Sequence, residues 1–529
     1  MNHTTATPAL DLIVAGARIV DGSGGEPYRA DVGISAGRIA TIGRLDAATA
    51  GARVEATGSV VTPGFVDMLH NYEVGPLTHP EASMAVFQGV TTALAGGCGM
   101  AAAPLAPRWA VETRSHLMFK SGWHEHAFSW TSMGEYLDAI DGLSAVNVAT
   151  LFGFDNLWFA VRGFDSSPPS PEDLDAMAEL AARSMAEGAI GMSHGAGAAS
   201  LWSTHEQVVH VAKALAPYGG IYALHQRDIA SDDTFANLKE GIAVGREAGI
   251  PVHFLHFKSV KSGTHGREEE MLRIVDEAIA EGIEVTIGSY PYGSGGGGLR
   301  VPSWAEDGGP ERVRERLRDP ETRARIAAEL DAFWGGLTLG ESYVMNIQSP
   351  AYAHYLGRSM QEIAQTEGIT VGELCCRLLE DEQSAVQHMH KHGGQDSFDA
   401  IIRHPAHICV SDAIYAGVPH PRCYGSYPQY IETYVEKRGV LSLQEFVRQS
   451  TSAPAARMGL NDRGLIKVGL AADLVIFDPA AVVDRATYEN PGGRAEGFSH
   501  VIVNGQFVMR DGAAVDGVRA GRALRRYRP

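Results

Sequence analysis

The stretch Val61-Thr-Pro-Gly-Phe-Val-Asp-Met-Leu-His-Asn-Tyr-Glu73 divides the sequence into two kinds of pattern. Pro63-Gly64 predicts a turn, and residues 65–69 predict a short apolar strand that runs into the polar residues at 70–73. Buried strands whose carboxyl ends carry polar groups are typical of the active sites of α/β barrels. We therefore interpret residues 65–69 as the first strand of a catalytic barrel.

The two ends of the sequence have the pattern of short β-strands. Residues 10–60 contain apolar runs separated by Gly-rich turns, and residues 455–515 repeat this pattern with a hairpin at Asn504-Gly505. We expect 1–61 and 455–529 to form one small β-domain together, either a sandwich or a meander.

Between these ends, residues 62–454 alternate between apolar strand patterns and amphipathic helix patterns. Such alternation is typical of an α/β fold with a parallel sheet, either a closed barrel or an open doubly wound sheet. Residues 293–345 interrupt the alternation with a glycine run and a long charged helix. We expect this segment to be an insertion over the mouth of the barrel.

The composition argues against several classes of partner. The 529 residues carry a formal net charge of −19, whereas nucleic acids and anionic membranes select a basic face. The five cysteines are too few for a disulfide framework and indicate a reducing compartment. The N-terminus has no signal-peptide pattern, and no apolar run is long enough to cross a membrane. We expect a cytoplasmic protein whose partner is a small-molecule substrate.

Several residues that bind metals or move protons lie at the ends of predicted strands. Cys98, His225 and Asp412 each follow an apolar strand, and a further strand offers His253 and His256. Because side chains alternate along a strand, we expect His256 to face the barrel interior and His253 to pack outward. Each residue alone has an ordinary structural explanation, such as burial for a free cysteine. Together, one thiolate and two imidazoles suit zinc with an open position for water, whose proton the carboxylate would take.

Motifs spread over nearly the whole chain resemble those of one enzyme family. They include Gly89-Val-Thr-Thr, Gly96-Gly-Cys-Gly-Met, Ile221-Tyr-Ala-Leu-His-Gln-Arg-Asp, Gly249-Ile-Pro-Val-His-Phe-Leu-His-Phe-Lys, Ser289-Tyr-Pro-Tyr and His420-Pro-Arg-Cys-Tyr-Gly. In order and number they resemble the N-acyl-D-amino-acid deacylase (D-aminoacylase) branch of the amidohydrolase superfamily. The resemblance implies a (β/α)8 TIM-like barrel with a small β-sandwich built from both termini.

The resemblance also implies roles for individual residues. It implies a tightly held zinc ion whose ligands match Cys98, His225 and His256. Asp412 matches the catalytic acid/base of the family. Three further positions match residues that contact the substrate, with Lys258 and Arg422 at its carboxylate and Tyr292 in its pocket.

The end of the first predicted strand departs from the family pattern Asp-x-His-x-His, whose histidine pair forms a second metal position. Aligned without gaps, Leu69 and Asn71 stand where the two histidines belong. Shifted by one residue, His70 replaces the first histidine but Tyr72 replaces the second. Either alignment breaks the pair, so we expect one zinc ion rather than two, with His70 as an alternative ligand.

The predicted substrate pocket departs from the family as well. Ala198 stands in place of a family tyrosine, His194 enters the same motif, and a family serine falls near Gly298. We therefore predict an altered pocket with His194 as a candidate substrate contact. Local histidine clusters at 124–126 and 388–392 are expected to be solvated surface.

These patterns lead to one functional prediction and two alternatives. We predict a zinc-dependent hydrolase of carbon–nitrogen bonds that cleaves the amide of an N-acyl amino acid or of a related carboxylate-bearing amide. One alternative is non-amide chemistry on the same fold and metal, such as lactone or C–C hydrolysis, or a lyase or isomerase step. The other is an inactive relative that only binds a ligand. The sequence leaves open whether the chain forms a homo-oligomer.

Overall fold

The computed structural model of the protein describes residues 10–110, 117, 120, 128–195, 197–225, 234–258, 266–335, 342–347, 349–381, 387–391, 397–415 and 417–526. The histidine clusters at 124–126 and 388–392 lie wholly or partly outside these residues. In the part of the chain that is described, no helix combines the length and the apolar character needed to cross a bilayer.

A closed barrel of parallel strands forms the centre of the fold, as the family resemblance predicts. Eight strands of the described residues belong to it, and we number them 1 to 8 in chain order: Phe65–Asp67, Val90–Ala95, Asn147–Thr150, Gly191–His194, Ile221–Leu224, Val252–Phe254, Val285–Ser289 and His407–Cys409. Strand 3 continues into Phe152–Gly153, which pairs with strand 4. The barrel closes where His70–Asn71, beyond strand 1, pairs in parallel with Ala413–Ile414, beyond strand 8.

The interior of the barrel is apolar and fully packed at its centre. Side chains from alternate strand positions, among them Val66, Leu94, Ile221, Leu255 and Val410, form one buried cluster. The cluster also includes Ala455, Met458 and Leu460, which follow the last barrel strand in the chain and pack against it. This buried cluster forms the floor of the barrel. Polar residues beyond the carboxyl ends of the strands lie above it, which is the usual position of a barrel active site.

Helices surround the barrel, and their starts follow the sequence signals for capping. Ser170 precedes the helix Pro171–Ala186, accepts a hydrogen bond from the Asp173 backbone and donates its own backbone N–H to the Asp173 carboxylate. This exchange satisfies backbone groups that a helix start leaves unpaired. The other helices of this layer are Gly75–Thr78, Ser83–Val86, Met133–Ile140, Phe154–Arg162, Ala198–Trp202, His205–Ala212, Thr234–Ala248, Glu268–Ala280, Ser397–Arg403, Arg422–Gln429, Tyr430–Lys437, Leu443–Ser450 and Ser452–Met458.

The chain ends form two further sheets, the larger with strands from both ends and the smaller with strands from residues 10–55 alone. The larger has the strand order Ala513–Ala514, Gln506–Arg510, Phe498–Val503, Leu474–Phe477, Val60–Pro63, Arg18–Ile19 and Tyr28–Arg29. The smaller has the order Arg38–Gly43, Asp31–Ser35, Leu10–Ala15 and Ala50–Glu55. Apolar side chains of both sheets, such as Val32 and Leu474, share one buried cluster. The domain boundaries at 61 and 455 remain predictions.

A separate body of structure interrupts the barrel between strands 7 and 8. Its sheet pairs Gln387–Lys391 with Ser294–Gly298 on one side and with Tyr343–Asn346 on the other. The long charged helix predicted within residues 293–345 is two helices, Pro310–Arg318 and Pro320–Gly335, because Pro320 ends the first helix and begins the second. The buried cluster of this body also takes in Met360–Glu367 and Val371–Glu380. The body thus extends past residue 345, and its role as a cover for the barrel mouth remains a prediction.

Candidate metal centre

Three strand ends bring one thiol and two imidazoles together. Cys98, His225 and His256 each offer one ligand atom, and these atoms all lie within 4.8 Å of one another. Cys98 Sγ lies 3.6 Å from His256 Nε2, and His225 Nδ1 lies 2.8 Å from the same nitrogen. The three residues singled out as zinc ligands in the sequence are therefore neighbours in the structure.

The alternation of side chains along the strands explains two of these positions. Ile221 and Ala223 of strand 5 belong to the interior cluster, and His225 continues on the same face. Leu94 of strand 2 also faces the interior, and a glycine-rich turn then carries Cys98 over the barrel end. The polar residues thus reach the centre because the apolar ones below them face the core.

His256 reaches the metal centre from beyond the end of its strand. The prediction that His253 packs outward is wrong. Strand 6 ends at Phe254, so the period of two does not extend to His256. His253 faces the interior, because its Nδ1 lies 3.0 Å from Thr286 Oγ1. A Cβ atom added to Gly288 would also meet His253 Cε1 at 3.3 Å. Both histidines therefore lie on the inner side, His253 in the floor and His256 in the centre.

The donor set fits a zinc ion. Tetrahedral zinc binds sulfur at about 2.3 Å and imidazole nitrogen at about 2.0–2.1 Å, which places these two atoms about 3.6 Å apart. The Cys98–His256 separation of 3.6 Å matches this spacing. The His225 and His256 nitrogens, 2.8 Å apart, are closer than the roughly 3.3 Å between two nitrogens on a tetrahedral zinc, so binding of the ion requires these two rings to move slightly apart. Burial lowers the pKa of His225 and of His256 well below the usual range, so both rings are in the neutral form that binds metals. Burial also raises the pKa of the Cys98 thiol to about 12, so a bound cation is what would stabilise its thiolate.

Asp412 lies beside this group and is held from two sides. It follows strand 8 with a φ of 50°, and its backbone N–H donates to Leu69 O at 2.8 Å. The amide of Asn71 donates to Asp412 Oδ1 at 3.0 Å, while Arg422 Nη2 lies 2.9 Å from Oδ2. Asp412 is 6% exposed. Its negative charge raises the pKa of His225, against the larger lowering by burial. Asp412 is thus a buried, oriented carboxylate at the edge of the centre.

A second polar group combines Lys258, Arg422 and Tyr290. The Lys258 ammonium contacts the Tyr290 hydroxyl and lies 4.5 Å from the centre of its ring, and the Arg422 guanidinium lies 4.6 Å from the same ring. Burial, followed by the nearby Arg422, lowers the pKa of Lys258 to about 7. Arg422 Nη1 is buried without a hydrogen-bond partner among the described residues. Two basic side chains therefore converge next to Asp412, and Arg422 has an unused donor among the described residues.

The tyrosine of this group is not the one that the sequence singled out. The Tyr292 hydroxyl donates to Asp484 Oδ2 at 2.7 Å, whereas Tyr290 contacts both cations. Both tyrosines belong to the motif Ser289-Tyr-Pro-Tyr, and the sequence alone does not show which of them contacts Lys258 and Arg422.

Two other predicted residues lie away from the ligand atoms. His70 is buried, with Nδ1 2.9 Å from Asp67 Oδ2 and Nε2 3.1 Å from the Tyr415 hydroxyl. Protein groups therefore occupy both nitrogens of His70, which does not join the three ligands. The ring of His194 is buried between Phe154 and Tyr222, with ring centres 5.2 and 5.9 Å away. The structure thus places His194 in packing behind strand 4.

An apolar cavity opens beside the two cations. It is small, and it is lined by Gly296, Met345, Met389, Ile414, Val418, Pro419, His420 and Arg422. Residues of the body between strands 7 and 8 form one wall, and the segment after strand 8 forms the other.

Comparison with known proteins agrees with this geometry. The model of the Amidohydrolase family matches residues 53–292 and 379–509. A D-aminoacylase from Alcaligenes xylosoxydans xylosoxydans is 32% identical over 532 residues, which cover 99% of this chain and 99% of that protein.

Two solved structures share the fold over almost the whole chain. A structure of N-acyl-D-glutamate deacylase from Bordetella bronchiseptica, complexed with zinc and a phosphonate mimic of the tetrahedral intermediate, has a TM-score of 0.84 at 27% identity and covers 98% of this chain and 100% of that one. A structure from work on the binuclear metal centre of D-aminoacylase has a TM-score of 0.82 at 29% identity, with 98% and 100% coverage. The chain therefore belongs to the amidohydrolase family and is a metal-dependent hydrolase of carbon–nitrogen bonds other than peptide bonds.

Proposed function

We propose that the protein is a zinc-dependent deacylase that cleaves the amide bond of an N-acyl amino acid or a closely related carboxylate-bearing amide. The observation that carries this proposal is the convergence of Cys98, His225 and His256, with the oriented carboxylate of Asp412 at their edge. The relatives named D-aminoacylase and N-acyl-D-glutamate deacylase support the choice of an acylated amino acid.

We further propose that the centre holds one zinc ion. Leu69 offers no ligand, and Asn71 donates its amide to Asp412 and to the Ala413 carbonyl. His70 has both nitrogens occupied by Asp67 and Tyr415. The D-aminoacylase structure whose binuclear centre is described with one-metal activation and second-metal attenuation supports a one-metal mechanism in a relative.

Asp412 would act as the acid and base of the reaction. Zinc bound to the three ligands supplies Lewis acidity, which polarises a carbonyl and acidifies water. The Asp412 carboxylate then accepts the proton of the attacking water and delivers it to the leaving nitrogen, so that the amide breaks to a carboxylate and an amine. Asn71 and Arg422 hold the two carboxylate oxygens and so orient them for this transfer.

Lys258 and Arg422 would bind the carboxylate of the substrate. Arg422 uses Nε and Nη2 on Asp412, which leaves Nη1 to meet an anion. The Lys258 ammonium contacts the Tyr290 hydroxyl and adds a second charge. The small apolar cavity beside Arg422 would contact an apolar part of the substrate, a small organic molecule.

The proposal is tested with purified zinc-loaded protein and a panel of matched substrates. The panel contains N-acyl-D- and N-acyl-L-amino acids with apolar, acidic and basic side chains, together with esters and lactones of similar size. Release of the free amino acid from at least one N-acyl amino acid, lost in Cys98→Ala, supports the proposal. Turnover of esters or lactones alone would replace it with non-amide chemistry, and turnover that survives Cys98→Ala would refute the metal site.

A further inference from the structure

The loop that carries Cys98 needs support from the rest of the fold. Residues 96–100 follow barrel strand 2 and place Cys98 at a φ of 58°, in the left-handed region. Residues other than glycine seldom adopt this conformation, because the Cβ atom approaches the backbone. Such a conformation persists where surrounding contacts enforce it.

A buried ion pair supplies one set of these contacts. The side chains of Glu73 and Lys120 are 1% and 2% exposed, and Lys120 Nζ lies 2.8 Å from Glu73 Oε1. The same oxygen accepts a hydrogen bond from Gly96 N at 3.0 Å. Lys120 donates to the carbonyls of Gly97 at 2.7 Å and Met100 at 3.1 Å. The pair therefore forms hydrogen bonds with the loop both before and after Cys98.

Neutral groups hold the loop from the opposite side. Gly99 N donates to Ser193 Oγ at 3.1 Å, and Gly99 O accepts from Asp155 N at 3.1 Å. Both of these hydrogen bonds involve Gly99, whereas the ion pair forms hydrogen bonds with three residues of the loop. The ion pair is thus the more extensive support.

The chemistry of the pair explains why charged groups stand here. An ammonium carries three donor hydrogens, and Lys120 has three acceptors at hydrogen-bond distance, two of them loop carbonyls. A buried charge is tolerated when it is paired and hydrogen-bonded, and Glu73 provides the opposite charge. The pair therefore adds no net charge beside the ligands. It holds the geometry of the loop, and Lys120 lowers the pKa of the Cys98 thiol more than Glu73 raises it.

We propose that Glu73 and Lys120 are positioning residues that hold the Cys98 loop in its metal-binding conformation and thereby set the affinity of the centre for zinc. The inference rests on the zinc site of the proposed function, but it concerns binding of the ion and not the reaction. Glu73 belongs to the polar end of strand 1, where the family places a metal-binding histidine pair. In this chain that strand end supports the metal centre from outside.

The test uses the double variant Glu73→Gln/Lys120→Met, because removing one charge alone leaves the other buried and unpaired. The matched control is Asp473→Asn/Arg463→Met, which removes another buried ion pair, each partner 4% exposed, beside the terminal sheets. Zinc affinity is measured by competition with a chromophoric chelator. Cobalt(II) in place of zinc reports thiolate ligation through its near-ultraviolet charge-transfer band, and urea unfolding reports the fold.

We expect the double variant to bind zinc about 10- to 100-fold more weakly than the wild type, a loss typical for groups that hold a metal ligand in place. Its cobalt band should weaken as well, while the control pair changes neither reading. Unchanged zinc affinity with an unchanged cobalt band in a folded double variant would overturn the proposal.

Two further outcomes are separated by the same measurements. If the double variant does not fold, Lys120→Arg takes its place, because it keeps the charge but moves the donors, and unchanged affinity there overturns the proposal equally. A wild type that binds no zinc would overturn the proposed function instead, since binding is measured without any substrate.

Discussion

The side-chain amide of Asn71 donates a hydrogen bond to Oδ1 of Asp412 over 3.0 Å, although the two residues are 341 positions apart in the chain. The bond lies where the barrel closes, between the segments that follow strands 1 and 8. In the alignment without gaps, Asn71 stands where the family pattern has a metal-binding histidine. In this chain Asn71 binds the carboxylate that we propose as the acid and base of the reaction.

The first prediction concerns this hydrogen bond. Asn71→Ala should lower kcat about 10- to 100-fold, because a hydrogen bond to a charged group contributes about 1.5–3 kcal/mol. KM and zinc content should stay unchanged, since Asn71 contacts neither the ligands nor the cations beside Tyr290. Steady-state kinetics and metal analysis check both, with the exposed Asn490→Ala as control. A rise in KM with constant kcat would show that Asn71 acts on substrate binding instead.

The second prediction concerns the proton carrier. Asp412→Asn keeps the shape of the side chain but removes its capacity to accept a proton, so kcat should fall about 100- to 10,000-fold. Zinc content should match the wild type, because the ligands are Cys98, His225 and His256. Turnover is followed by release of the free amine. Full activity in this variant would remove Asp412 from the mechanism.

The third prediction concerns recognition of the substrate carboxylate. Lys258→Met should raise KM about 10-fold or more for a carboxylate substrate, because one charged partner is lost. The same substrate with a carboxamide in place of the carboxylate should show no such change between variant and wild type. Kinetics on this matched pair separate a charge effect from a general disturbance of the pocket. Equal losses on both substrates would argue against Lys258 as the carboxylate-binding residue.

The fourth prediction is a pH dependence of stability that arises at Asp155. Burial raises the pKa of this carboxyl group to about 6, against an ordinary value near 3.8. The folded state therefore holds the proton more tightly, and its stability falls as the pH rises from about 4 to about 6. Asp155→Asn has no carboxyl group at this position and so avoids this loss. The free energy of unfolding of the variant, relative to that of the wild type, should therefore be about 2–3 kcal/mol larger above pH 6 than at pH 4. Urea unfolding across this range checks the gain, with the exposed Asp516→Asn as control. A constant difference at every pH would contradict it.

Much of the fold follows from patterns that are local in the sequence. Apolar runs of four to six residues predict the barrel strands, since each buries its side chains on both faces. The Ser170-Pro171 start is a sequence signal for the helix Pro171–Ala186, and Asn504-Gly505 predicts the hairpin that the structure shows. By contrast, the helix Phe154–Arg162 was not predicted, because its aromatic and apolar residues also suit a strand.

The candidate site was predictable where it depends on strand ends and unpredictable where it depends on turns. Cys98 and His225 follow from the interior faces of their strands. The position of His256 and the contact of Tyr290 with Lys258 depend on where a strand stops and how the chain turns afterwards, while the role of Tyr292 in the substrate pocket stays a prediction. The Glu73–Lys120 pair depends on how a long connection returns to the barrel, which no local pattern specifies.

The central claim is that Cys98, His225 and His256 hold a single zinc ion. The most direct measurement is the zinc content per chain of the purified wild type and of Cys98→Ala, determined by mass spectrometry after dialysis against zinc-free buffer. We predict one zinc ion per chain in the wild type and its loss in Cys98→Ala. Two ions per chain in the wild type, or an ion retained in full by Cys98→Ala, would contradict the claim.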